Sequence, residues 1–184
     1  MEKKENSDAS KKQKDAAKKM KEMAESMDAA MQSMQEEGME EDMQAIRQLL
    51  ENIVDLSFDQ EDVMDQFNIT TVNTPRYVEL VQNQFQINND FELVRDSLNA
   101  LAKRNFQIET FVTEKVTEIK GNLKETVAQL EERRTPQAAN VQQRAMTGLN
   151  DLALMLSESM ENMQQQMAGS MAGDQQCENP GNGK

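Results

Sequence analysis

The chain has no histidine and a single cysteine, Cys177. That removes disulfide frameworks, Cys/His zinc sites, Glu-x-x-His di-iron bundles and nucleophilic centres of the Ser-His-Asp or Cys-His type, since each needs side chains that are missing. Glycine (7) and proline (3) are scarce in 184 residues. Long stretches therefore run without a helix breaker, while good helix formers such as Ala, Glu, Gln, Lys, Leu and Met abound. No apolar run approaches the roughly 18 residues of a membrane span, and the first lysines have no apolar stretch behind them as a secretory leader would. A hydrophobic fraction of 37% is low for a many-layered core. A mean hydropathy of -0.80 with a net charge of -13 would by itself suit a disordered chain, but the periodicity below decides for folded helices. The class is all-α.

Charge is unevenly spread. Residues 1–20 hold seven Lys against four acids, for +3, and residues 21–67 hold two bases against fourteen acids, for -12. Residues 68–134 carry nine against ten, and residues 135–184 two against five. The strong field is local, and both runs read first as solvated helix faces, although a basic head before an acidic helix also favours head-to-tail contact. The folded part is acidic and repels phosphate, so nucleic acid is not an expected partner. Lys11, Lys12, Lys14, Lys18 and Lys19 could meet anionic lipid, but an exposed arm explains them equally well.

Methionines Met20, Met23, Met27, Met31 and Met34 recur at spacings of three and four, an apolar seam on one helix face, flanked by Ala24 and Ala30. Gly38 interrupts it. Met39, Met43, Ile46, Leu50 and Ile53 then resume the seam beside a second row at Leu49, Leu56, Val63 and Phe67, which predicts a second helix or a kinked continuation. Ser57-Phe58-Asp59-Gln60 fits a capping box and suggests a bend near Ser57. Thr74-Pro75 is a helix start, because the N–H that proline lacks would be unpaired there anyway. The helix it opens has a seven-residue repeat: Tyr77, Gln84, Phe91 and Leu98 in one register, and Leu80, Ile87, Val94 and Leu101 three residues on. A turn is expected at about 103–106, around Asn105. A fourth helix carries Ile108, Val112, Val116, Ile119, Leu123, Val127 and Leu130. After Thr135-Pro136, a fifth carries Met146, Leu149, Ala153, Leu156, Met160, Met163 and Met167, with Leu152 and Met155 widening its stripe.

Three strings carry a resemblance: Leu50-Glu-Asn-Ile-Val-Asp-Leu-Ser-Phe-Asp-Gln-Glu-Asp-Val-Met64, Asp96-Ser-Leu-Asn-Ala-Leu-Ala-Lys-Arg-Asn105, and Thr135-Pro-Gln-Ala-Ala139 through Asn150-Asp-Leu-Ala-Leu-Met-Leu-Ser-Glu-Ser159. Over roughly residues 40–168 the chain resembles the carboxy-terminal helical part of a Bacteroidetes family of large membrane-anchored proteins, a domain-of-unknown-function family. The resemblance implies one segment of a longer cell-envelope protein, touching the membrane only through parts absent from this chain. It brings no catalytic or binding residues. The Lys-rich head and the Gly-Asn-Gly-Lys end depart from it and read as fragment boundaries.

Fifteen methionines are the most unusual feature of the composition. Triples such as Met20/Met23/Met27 or Met160/Met163/Met167 have a spacing that could present thioethers to Cu(I), but any apolar helix stripe has it too, and no histidine strengthens the site. Glu36, Glu37, Glu40, Glu41 and Asp42 run around a helix instead of facing one pocket, so they offer no acid–base pair. The end Asn179-Pro-Gly-Asn-Gly-Lys184 lacks the first glycine and the final hydroxyl of a phosphate loop. No cofactor, metal or small-molecule ligand is expected, and no enzyme. The expected architecture is an elongated antiparallel bundle of four or five helices with coiled-coil-like seams and disordered tails. Its parts are a flexible head at 1–19, Met-rich and acidic helices at 20–67, a central hairpin at 75–134, a Leu/Met helix at 136–168 and a tail at 169–184.

The expected function is a non-catalytic scaffold or interaction segment, associating with itself or with another helical protein. The alternative is a soluble regulatory or chaperone-like module whose pliable Met-rich helices accept varied apolar segments. The candidate seam or partner-binding residues are Met20, Met23, Met27, Met31, Met34, Leu80, Ile87, Val94, Leu101, Leu156, Met160, Met163 and Met167. The Met/Ala stripe of residues 20–36 specifies its packing less well than Leu, Ile and Val seams do. Deletion of residues 1–38 is therefore expected to leave the melting temperature of the remainder nearly unchanged; a calorimetric scan showing an unfolded remainder would make the Met helix part of the core.

Overall fold

Helix starts and stops follow the local chemistry closely. The computed structural model describes residues 2–173, with side chains at 14–105 and 108–169. Among the described residues there are four helices and no strand: α1 (Glu2–Ile69), α2 (Pro75–Ala102), α3 (Phe106–Glu131) and α4 (Thr135–Gly173). Thr74 caps α2, its hydroxyl accepting the Tyr77 N–H at 3.3 Å with Pro75 in the first turn. The turn expected around Asn105 is present, and the Asn105 carbonyl accepts from Ile108 and Glu109 to open α3. α3 closes with Arg133 left-handed at φ 59°, the Arg134 N–H reaching the Gln129 carbonyl and the Arg133 N–H reaching that of Leu130. This is the Schellman arrangement, with arginine where glycine is usual. The second Thr-Pro pair opens α4, with Thr135 as its first residue and its hydroxyl without a hydrogen-bond partner.

Several expectations along α1 are corrected. Helix is continuous through Gly38 and Ser57, so α1 is one helix with no cap at Ser57, and the four helices fall within the four or five expected. The described residues of the Lys-rich head, from Glu2, belong to the same helix. The helices differ widely in length: α1 has 68 residues and α4 has 39. α4 runs to Gly173, past the expected onset of the tail at 169, and the rest of that tail lies outside the described residues.

The chain divides into two compact units, Met1–Glu41 and Asp42–Lys184. The second is a four-helix bundle formed by the last part of α1 with α2, α3 and α4. Each helix runs antiparallel to the next: Phe67 meets Tyr77 edge-on at 5.3 Å, the Tyr77 hydroxyl donates to the Leu130 carbonyl at 2.9 Å, and Lys115 bridges to Asp151 at 3.0 Å. Ser57, read as a cap, instead donates to Asn150 Oδ1 at 2.8 Å and ties α1 to α4. The bundle is closed by that pair, and short connections enforce the up-and-down order.

The heptads of α2 are buried at every position named from sequence, as are all seven apolar positions of α3. In α1 the buried row is Ile46, Leu49, Ile53, Leu56, Val63 and Phe67, while Met39, Met43 and Leu50 are only half-covered. The stripe of α4 is shifted from the expected one. It runs through Ala138, Val141, Ala145, Leu149, Leu152, Leu156 and Met163, leaving Met146, Ala153, Met155, Met160 and Met167 on its edges. The reason is local: Gly148 brings α3 close, and a Cβ built there would lie 2.8 Å from Ile119 Cγ1. That approach turns the small-residue face of α4 inward and leaves the bulkier thioethers outside.

One layer of this apolar core is polar. Gln60 and Gln84 exchange amide hydrogen bonds of 3.0 and 2.8 Å, and Gln142 Nε2 donates to Gln84 Oε1 at 2.9 Å. All three side chains are buried, with Thr126 of α3 buried as well. Gln84→Leu is expected to destabilise the bundle by about 2–3 kcal/mol, because it leaves the Gln60 and Gln142 amides without partners. Replacing all three glutamines with leucine should bring stability back to within about 1 kcal/mol of the starting protein. Equal denaturation midpoints for the single and triple variants would show that the three amides are not coupled.

The glycines give a paired prediction. Gly121→Ala meets open space and should stabilise by up to about 1 kcal/mol through helix propensity. Gly148→Ala must displace buried Ile119 and should destabilise by roughly 1–2 kcal/mol in the same urea titration.

Candidate functional site

Thirteen seam residues were singled out from sequence, and the structure sorts them into two groups. Leu80, Ile87, Val94, Leu101 and Leu156 are internal to the bundle, as is Met163, whose sulfur accepts from Asn105 Nδ2 at 4.0 Å. Met160 and Met167 are half-buried. None of these eight presents an open face, and burial of Met163 separates the Met160/Met163/Met167 triple as a shared thioether surface. The other five are open: Met20, Met23, Met27, Met31 and Met34 are between 60 and 73% exposed.

These five lie in the unit Met1–Glu41, on one side of α1, because spacings of three and four keep returning to the same helix face. Ala24 and Ala30 are exposed alongside them. Lys18 pairs with Glu22 at 3.7 Å and Lys21 with Glu25 at 3.8 Å, all four side chains well exposed. Such pairs contribute a few tenths of a kcal/mol at most, the more so with lysine preceding glutamate. The face is thus an apolar strip rimmed by solvated charge. Methionine gives it pliability: three rotatable bonds and a polarisable sulfur fit more than one opposing surface.

The bundle offers little competing chemistry. A shallow groove of about 270 Å³ between α1 and α2 is lined by Asn52, Asp55, Leu56, Asp59, Asp90, Leu93 and Val94. A neighbouring groove of about 200 Å³ shares Asp59 and Asp90 and adds Asp62. Asp55, Asp59 and Asp62 are exposed, and Asp90 accepts from Gln86 at 2.8 Å, so these acids lack the contrast of environments that acid–base work requires. Among the described residues no group of three or more Cys, Asp or Glu side chains is placed to hold a metal ion. Lys115 has its pKa raised, first by its hydrogen bond to Asp151 and then by that to Glu118. It sits between α3 and α4 as an ion pair across the helix seam, away from both grooves. No helix among the described residues is long and apolar enough to cross a membrane.

Sequence reasoning missed the polar groups that give the core its identity. Thr126 and Gln142 carry no apolar signal, and Gln60 was assigned to a cap; only Gln84 was marked, by its place in a heptad. Compared with protein-family models, curated proteins and solved structures, the chain matches none.

Proposed function

We propose that this chain works by helix–helix association, as a non-catalytic scaffold or interaction element whose contact surface is the methionine face of α1. The observation that carries the reading is the exposure of five methionines on one face while the Leu, Ile and Val seams of the bundle are covered. A contiguous apolar strip left in water on a helix rimmed by charge is the usual sign of a surface meant to be covered. The resemblance of residues 40–168 adds the suggestion that the element belongs to a larger envelope-associated protein. A second reading rests on the chemistry of the same side chains: a thioether face adapts to varied apolar segments, which suits a regulatory or chaperone-like module.

The test replaces Met23, Met27 and Met31 with glutamate in the full chain. Binding of a hydrophobic dye, or the sedimentation coefficient at several concentrations, should fall to a monomer-like, dye-silent level, with helix content and the bundle's melting temperature unchanged. A variant that associates and binds dye as the starting protein does would overturn the reading. Self-association lost in the variant supports the scaffold, and dye binding by a monomer supports the adaptable module.

A further inference from the structure

The methionine spacing has a symmetry that a generic stripe does not need. The intervals from Met20 through Met34 are three, four, four and three, a palindrome about Met27. Laid against a second copy of itself in the opposite direction, with a two-fold axis at Met27, this helix sets Met20 opposite Met34 and Met23 opposite Met31. Ala24 then meets Ala30, and Ala16 meets Gly38. Every apolar or small residue of the face finds an apolar or small counterpart. Gly38 is otherwise hard to account for, because glycine inside a helix costs about 1 kcal/mol relative to alanine and nothing lies within 4 Å of a Cβ built there.

Charge fixes the direction. Residues 14–21 carry Lys14, Lys18, Lys19 and Lys21 against one acid, Asp15, for +3; residues 33–40 carry Glu36, Glu37 and Glu40 and no base, for -3. These two windows are mirror images about Met27. An antiparallel pair therefore lays the basic window of each copy along the acidic window of the other, at both ends. A parallel pair in register would set lysines against lysines and glutamates against glutamates, which is repulsive.

We infer that the face formed by Met20, Met23, Met27, Met31 and Met34 pairs with a second copy of this chain, antiparallel, about a two-fold axis at Met27. This rests on reading that face as an association surface and adds the partner and its orientation. The contact is isologous and so closes at two chains. Residues 14–40 span about 40 Å of helix, a small interface of the exchangeable kind, and its end-to-end charge match makes it sensitive to salt.

Thiol cross-linking in the full chain with Cys177→Ser tests the geometry. Met27→Cys alone should give a disulfide-linked dimer on mild oxidation. Met20→Cys and Met34→Cys chains should each stay largely unlinked alone and join when mixed. Linking of Met20→Cys to itself, or of Met34→Cys to itself, would mean a parallel pair and overturn the inference. The charge match is read separately by sedimentation. K14E/K18E/K19E/K21E and E36K/E37K/E40K chains should each dimerise at least tenfold more weakly than the starting chain and associate with each other when mixed. Circular dichroism confirms that every variant keeps its helix.

If no cysteine position links while the methionine face still binds dye, self-pairing is wrong and the broader association reading stands. If the methionine-to-glutamate variant also leaves dye binding unchanged, both fail. Pelleting of an uncross-linkable monomer with vesicles of anionic phospholipid would assign the face to a lipid surface and likewise overturn the pairing.

Discussion

The amide ladder of Gln60, Gln84 and Gln142 is the constraint on which the bundle's register depends. Leu, Ile and Val seams of similar volume tolerate a slip of one turn with modest loss, since apolar contact has no direction. A buried amide does not: displaced by one turn, each glutamine would be lodged among aliphatic side chains with its donors and acceptor unpaired, at roughly 1–3 kcal/mol per group. Gln84 Oε1 accepts from both Gln60 and Gln142, so one residue of α2 indexes α1 and α4 together. The same layer leaves Gln142 Oε1 and the Thr126 hydroxyl without protein partners. The layer therefore stabilises less than a leucine layer would; its return is a single alignment of helices.

With register fixed, closure follows from smaller pieces. Ser57 with Asn150 joins the first helix to the last, Tyr77 with Leu130 and Asn88 with Leu123 hold α2 to α3, and Lys115 with Asp151 holds α3 to α4. Gly148 sets the depth at which α3 and α4 meet. Most of these polar links are partly exposed and individually weak. Their value lies in where they sit, on the α1–α4, α2–α3 and α3–α4 boundaries, while burial of Leu, Ile, Val and Phe supplies the bulk of the free energy.

How legible this was depended on whether a residue's role is set by its sequence neighbours or by partners far along the chain. Thr74-Pro75, the heptads from Tyr77 to Leu101 and the row from Ile108 to Leu130 are local signals, and all appear in the structure. Ser57 and Gln60 formed an equally good local signal for a cap, but their partners lie 93 and 24 residues away, and burial against those partners prevails over the local pattern. The α4 stripe was misplaced for a related reason. Apolar size pointed to the methionines, whereas close approach at Gly148 selects the small residues Ala138, Ala145 and Gly148 for the interior. The methionine face of α1 was legible as a seam, but its exposure was not, because periodicity is identical for a stripe that is covered and one that is open.

That difference in exposure follows the difference in side chain. Where the core must hold one geometry, the chain uses β-branched residues and leucine, with few rotamers and well-defined packing. Where the surface is open, it uses methionine, which loses more rotamer freedom on burial and so gains less net free energy per contact. A leucine strip at the same positions would associate more tightly and with less discrimination, and would be an aggregation hazard while uncovered. In the proposed pairing, methionine would keep association weak enough for charge to decide which surface is accepted. On that proposal the lysines at 14–21 and the glutamates at 33–40 would confer selectivity, while the thioethers would supply contact that depends little on detailed fit.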